Sequence, residues 1–245
     1  MQIFGKFSTN FDMDYLVEHY IYLNESDDDK ITIDDLENML KKKRKTVAGT
    51  IFLYNPETSP VGYKLSRFLQ NEGFDKYDEF VPLNEDAMSY VLNAGLKHEY
   101  KGKLIEIKYL FNLNRENIEP TPILEEFDAD LDKFTSNQLT RYDKQLNYLD
   151  IPNIRLSGKF VFFGCGHKYD RHHKAIIAYA RALSEHVQKL DKTVVFMHDN
   201  NCDADEALET AYFLSPLATG KAKEKRANSF KDAFRTNPPT IQKLS

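Results

Sequence analysis

The clearest pattern lies toward the carboxyl end of the chain. Two short apolar runs, residues 159–163 and 193–197, flank a stretch with helical periodicity from about residue 171 to 190. A continuous apolar run of this length reads as a strand covered on both faces, and strand, helix, strand predicts a β-α-β unit with parallel strands. Such strands release their following loops, residues 164–170 and 198–203, at one carboxyl edge. Open α/β sheets hold their ligands at that edge.

Earlier in the chain the pattern changes. Residues 10–23 carry Met13, Leu16, Val17, Tyr20 and Leu23 at helical spacing and predict an amphipathic helix. An acidic loop follows, and Thr32 with Asp35 makes a capping box for a second helix that buries Leu36, Met39 and Leu40. The basic run Lys41, Lys42, Lys43, Arg44, Lys45 closes that helix at the negative end of its dipole. A strand over 47–54 and a helix opened by Ser59 and Pro60 complete the order helix, helix, strand, helix.

In the middle, residues 104–111 alternate Ile105, Ile107, Tyr109 and Phe111 with Glu106 and Lys108, the pattern of a strand with one wet face. Helices are predicted over 84–94, after Thr121 and Pro122, around Leu139 to Leu149, and after Asp203. From residue 215 onward the apolar rhythm fades, which predicts a polar, partly extended tail. The whole reads as α/β or α+β in three parts. Residues 1–75 form a small helical, winged-helix-like module, 76–155 a mixed connecting region, and 156–245 a Rossmann-like β-α-β half with a polar basic tail.

Composition changes this picture in few places. The 245 residues carry a net charge of -5, which argues against nonspecific DNA binding by the whole molecule. The charge is uneven, with Asp27, Asp28, Asp29, Asp34, Asp35 and Glu37 near the start and Lys221, Lys223, Lys225, Arg226, Lys231 and Arg235 near the end. That asymmetry suits an oriented protein partner or self-association. No apolar run approaches the roughly 18 residues that cross a bilayer, and no basic-then-apolar leader opens the chain. With two cysteines, too few for a disulfide framework, the expectation is a cytoplasmic protein with reduced thiols and no membrane partner.

Both cysteines and most histidines fall in or beside the β-α-β unit. Cys165 ends its first strand and Arg171 follows six positions later. This spacing resembles the phosphate loop of cysteine-dependent phosphatases, in which backbone N–H groups and a helix N-terminus stabilise a phosphate and depress the thiol pKa. The resemblance implies Cys165 as nucleophile and Arg171 as anion clamp. It covers about a dozen residues. Gly164 stands where that family has His, Lys168 where it has Gly, and His172 where it has a hydroxyl, while Asp170 adds negative charge to the loop.

Two other chemistries share these loops. Cys165, His167, His172, His173, His198 and Cys202 are zinc-type ligands without the paired spacing of a strict zinc signature. Gly164 and Gly166, with His167 opposite Asp199, Asn200 and Asn201, make a cradle for a nucleotide or other phosphate-bearing ligand that lacks the G-x-G-x-x-G fingerprint. In an enzyme, His198 would serve as base or ligand beside Cys165.

Elsewhere, Asn24, Ser26, Asp28, Thr32 and Asp35 fall at calcium-loop positions. Asp29 replaces the loop's glycine and Asp35 its glutamate, so a solvated acidic turn is expected. In the winged-helix reading, residues 59–71 form the recognition helix, and Lys64, Arg67 and Asn71 contact nucleic acid from a face separate from Leu65, Phe68 and Leu69. No serine sits in a G-x-S-x-G context.

Because no catalytic motif is complete, the first-ranked function is a non-catalytic interaction or assembly protein of the kind viruses and mobile elements encode. An α/β enzyme or phosphate and nucleotide binder using Cys165 and His198 ranks second, and a winged-helix DNA binder third. No cofactor is specified.

Overall fold

A computed structural model describes residues 1–10, 13–26, 28–53, 79–83, 100–109, 154–164, 174–190, 192–197 and 222–235. Strands β1 (Gln2–Asn10) and β2 (Met13–Tyr22) form an antiparallel pair. Helices α1 (Ile33–Lys41) and α2 (Lys43–Thr46) lead into β3 (Val47–Leu53). There follow β4 (Phe80–Leu83), β5 (Leu104–Tyr109), β6 (Phe160–Phe163), α3 (Lys174–Gln188), β7 (Thr193–Phe196) and α4 (Ala222–Arg235).

All seven strands lie in one mixed sheet in the order β4-β1-β2-β5-β3-β6-β7. The β4, β1, β2 and β5 neighbours pair antiparallel, whereas β5, β3, β6 and β7 run parallel. The chain is therefore α/β, and the parallel pairing of its two carboxyl-terminal apolar runs is as their composition predicts.

Each face of the sheet has its own apolar cluster. On one, Ile21, Ile51, Leu53, Ile105, Ile107, Phe160 and Phe162 pack with Ala227 and Phe230 of α4. On the other, Phe4, Tyr20, Tyr22, Val47, Phe80 and Leu104 pack with Leu36 of α1. Thr32 caps α1 as its sequence predicts: its Oγ1 accepts from the Asp35 N–H at 3.2 Å, and Asp35 Oδ2 accepts from the Thr32 N–H at 2.9 Å. Near the entry to β6, Gly158 has φ +78, and a Cβ there would overlap the Ala48 carbonyl, so only glycine seats this turn against β3.

Two predicted elements differ. Residues 13–22 are a strand, not part of a helix. Tyr20 and Tyr22 are buried on one face while His19, Ile21 and Leu23 are buried on the other, so apolar residues occur at nearly every position and fit a helical period by coincidence. Residues 222–235 are a helix, not an extended tail. Its apolar stripe is only Ala227, Phe230 and a partly buried Ala233, too sparse to stand out among the surrounding charges.

That stripe makes a testable anchor. Phe230 is fully buried, with its ring centroid 4.9 Å from that of Phe162. Phe230→Ala should lower unfolding stability by about 3–5 kcal/mol, read from urea denaturation, because it leaves a cavity between α4 and the sheet.

Candidate functional site

The connections out of the parallel strands diverge at one place. From β3 the chain runs to β4 at the far edge of the sheet, on the β5 side of β3, whereas from β6, on the other side, it continues outward to β7. In strand order, the boundary between β3 and β6 is therefore where the onward connections part, the arrangement of a topological switch point. Gly164 borders it: its N–H donates to the Phe52 carbonyl at 2.8 Å, extending the β3–β6 ladder by one residue. Phe163 and Phe196 are paired, so the chain leaves β6 and β7 side by side at this rim.

Gly164 is the one predicted site residue within the described part. Cys165, Gly166, His167, Arg171, His172, His173, His198, Asp199 and Cys202 lie outside it, as do Lys64, Arg67 and Asn71. Among the described residues, no group of three His, Cys, Asp or Glu side chains is placed to hold a metal ion, and no helix is long and apolar enough to cross a membrane.

A two-stranded ribbon flanks the same rim. The last β2–β5 pair is His19 with Ile107, and β1 pairs β4 only over Ile3 to Lys6. Beyond these, Phe7 to Asn10 and Met13 to Leu16 pair with each other. The register shifts between Lys6 and Phe7, leaving Val17 as an extra residue where the ribbon departs from the sheet. Such bulges bend and twist a strand pair.

Two polar clusters occupy the faces of β5 near this rim. On the α1 face, Glu106 is buried at 3 % exposure, where the alternation of the sequence predicted a wet face. Its carboxylate accepts from Lys43 Nζ at 2.6 Å, Lys108 Nζ at 3.2 Å and Thr50 Oγ1 at 3.3 Å. Tyr20 and Thr50 are its cross-strand neighbours on β2 and β3. Lys43 also donates to the Tyr20 hydroxyl at 2.7 Å and lies 5.1 Å above that ring, while the Tyr20 O–H donates to Glu18 at 2.9 Å. Burial, then the charges of Glu106 and Glu18, push the Tyr20 pKa far up, so its proton stays in place. Every principal acceptor in this cluster is occupied. Its chemistry is structural, holding α2 on the sheet through Lys43.

On the α4 face the arrangement is incomplete. His19 and Tyr109 are buried at 1 % and 4 % exposure, and Nδ1 of His19 lies 2.8 Å from the Tyr109 hydroxyl. Their rings stack at 13° with centroids 5.9 Å apart. Among the described residues, Nε2 of His19 is buried without a hydrogen-bond partner. Burial pushes the His19 pKa down to about 3, so the ring is neutral and retains either one lone pair or one N–H to offer.

Neither cluster is a sequence-predicted site. The signals were there, in a Glu-x-Lys pair between apolar residues and a histidine inside an aromatic strand, but both fit ordinary surface alternation.

The acidic turn before α1 is likewise built for closure. Asp29 Oδ2 accepts from the Glu25 N–H and the Tyr22 O–H, each at 2.8 Å, which holds the Asp29 carboxyl below its ordinary range; burial, then the bond to Asp29, raises the Tyr22 hydroxyl above its own.

In comparison with known proteins, no family model, curated protein or solved structure matches this chain.

The two clusters respond differently to change. His19 titrates at its ordinary 6.5 when unfolded and at about 3 when folded, so its contribution to stability is complete above 6.5 and is lost as pH falls toward 3. The loss runs at up to about 1.4 kcal/mol per pH unit. His19→Gln should therefore show a drop in stability between pH 7 and pH 5 that is smaller than the wild-type drop by about 2 kcal/mol, measured by urea midpoints. Lys43→Ala should destabilise by about 2 kcal/mol at neutral pH in the same assay, since Glu106 keeps Lys108 but loses its nearest counter-charge.

Proposed function

We propose that the rim beyond β3 and β6 binds a small phosphate-bearing ligand, with the parallel part of the sheet acting as a Rossmann-like half. The strand order carries this reading, because the connections of β3 and β6 diverge there and Gly164 leads from that point into the Gly-Cys-Gly-His loop. On this reading the loop residues Gly164 and Gly166 let the backbone approach a phosphate, Arg171 clamps its oxygens, and His167 and Asp199 contact the ligand from the two loops. Cys165 and His198 serve as nucleophile and base if the site is catalytic.

Titration calorimetry with inorganic phosphate, ribose 5-phosphate and nucleoside monophosphates tests it. Arg171→Ala should weaken binding by about tenfold or more, the loss of a charge-assisted contact. Absence of binding by all three ligand types at millimolar concentration ends the proposal. Turnover of an aryl phosphate that Cys165→Ser abolishes would make the site an enzyme; binding without turnover makes it a receptor site.

A second reading, the interaction or assembly protein, has its own support. Asp34, Asp35 and Glu37 are exposed at the start of α1, and Lys41, Lys42, Arg44 and Lys45 are exposed at and beyond its end. Opposite charges at the two ends of one helical segment suit head-to-tail contact with a protein partner or a second copy. Sedimentation should then show association that rises with concentration and falls with salt; a monomer at every salt concentration removes this reading. The winged-helix reading of residues 1–75, with Lys64, Arg67 and Asn71 on DNA, draws only on the same basic run. Anisotropy with a labelled duplex at low salt tests it.

A further inference from the structure

We propose that the amino-terminal edge of the four parallel strands binds the phosphodiester backbone of a nucleic acid, through a row of lysines that the sheet brings together. This surface lies at the opposite end of the strands from the β3–β6 rim. It depends neither on the phosphate-ligand reading nor on Lys64, Arg67 and Asn71.

The row is a product of strand order. Lys103 directly precedes β5, Lys159 directly precedes β6, Lys192 directly precedes β7, and Lys45 stands two positions before β3. Because β5, β3, β6 and β7 are neighbours and run parallel, lysines from four distant parts of the chain arrive at one edge. Hydrogen bonds stitch them into it. Lys103 Nζ donates to the Lys45 carbonyl at 3.1 Å, the Lys159 N–H to the Ala48 carbonyl at 2.7 Å, and the Thr193 N–H to the Lys159 carbonyl at 3.0 Å. Lys192 Nζ donates to the Gly158 carbonyl at the entry to β6. From β5 to β7 the row crosses three strand spacings, about 14 Å.

Its charge is uncompensated. Lys45, Lys103 and Lys159 are exposed and Lys192 is half-buried, and none of the four meets a carboxylate among the described residues. Asp191, beside Lys192 in the chain, lies outside those residues. The described acidic groups of this edge lie on the β2 side: Glu25, whose carbonyl accepts from Lys101 Nζ, and the turn carrying Asp28 and Asp29. A protein of net charge -5 thus has a basic margin with an acidic border, which draws a polyanion along β5 to β7 and repels it from β2.

The chemistry of the edge selects the kind of polyanion. A protein interface centres on apolar or aromatic anchors, and an amphipathic membrane contact adds apolar side chains to its charges. Among the described residues the exposed large apolar side chain is Ile33, which stands beside Asp34 at the acidic start of α1. Tyr100, next to Lys101 in the chain, has its ring engaged with Phe160, the centroids 5.0 Å apart. Ammonium groups spaced along an edge, with neither an apolar anchor nor a stacking platform, fit phosphates and read no base sequence.

The test uses the full chain and fluorescence anisotropy with a labelled random-sequence DNA duplex and a labelled single-stranded RNA over a range of salt. On the duplex, log affinity should fall against log salt with a slope of about -3 to -4, the value for about four phosphates, and should change little with base sequence. Lys45→Gln with Lys159→Gln should weaken low-salt binding by about tenfold and flatten that slope by about 2, whereas Lys45→Arg with Lys159→Arg keeps both. Lys6→Gln, at the far end of the β1–β4 pairing from this edge, should leave both unchanged. Absence of binding to either nucleic acid at low salt overturns the inference, as does a slope that the paired Gln variant leaves unmoved. Binding that Lys64→Gln with Arg67→Gln abolishes while the paired Gln variant retains it also overturns the inference. So does capture by phosphatidylserine vesicles, or salt-sensitive self-association, in a protein that binds neither nucleic acid. Failure of small phosphate compounds to bind at the β3–β6 rim removes the earlier reading and leaves this one standing.

Discussion

The architecture depends on β3 being paired on both sides at once. Between Gly49 and Phe52 each backbone position faces β5 on one side and β6 on the other, both parallel. A strand in that position has no water to satisfy its peptide groups, so both ladders must form and the side chains on both faces must be covered. Ile51, Phe52 and Leu53 meet the second demand with at most 2 % exposure. Gly49 meets it differently, because the Phe160 ring occupies the space that a Cβ there would fill. The α4 helix then closes that face through Phe230, and α1 closes the other through Leu36.

A sheet covered on both faces has to settle every polar side chain it contains. Glu106 and His19 lie on adjacent strands and are settled in opposite ways. Glu106 is surrounded by two ammonium groups and a hydroxyl, so its buried charge is compensated and α2 is tied to the sheet in return. Burial keeps His19 neutral, and among the described residues one of its nitrogens has no partner. A saturated cluster contributes rigidity, whereas leftover hydrogen-bonding capacity is what recognition requires. This contrast distinguishes two polar clusters on opposite faces of the sheet.

The same constraint shapes one edge of the sheet. The onward connections of β3 and β6 part to opposite sides in strand order, and Gly164 adds one hydrogen bond to the ladder between them. The antiparallel strands on the β5 side extend past the rim as a ribbon with a bulge at its root. Parallel strands and antiparallel ribbon thus meet along one edge of the sheet.

The amino-acid order alone determined the local features: the Thr32–Asp35 capping box of α1, the strands at 47–53, 104–109, 160–163 and 193–196, and the parallel pairing implied by the helix between the last two. These follow from short-range propensity and the spacing of apolar residues, which act within a few positions of one another. Tertiary structure decided the rest, because it depends on what covers each face. Residues 13–22 are apolar enough for helix or strand and become a strand through partners on both sides, β1 and β5. The sparse stripe of α4 gains meaning when Phe162 receives Phe230. Glu106 looks like solvent-facing alternation until Lys43, 63 positions earlier, is set against it, and His19 meets its hydrogen-bond partner only in Tyr109, 90 positions later. Separations of that size leave no periodic trace in a linear sequence.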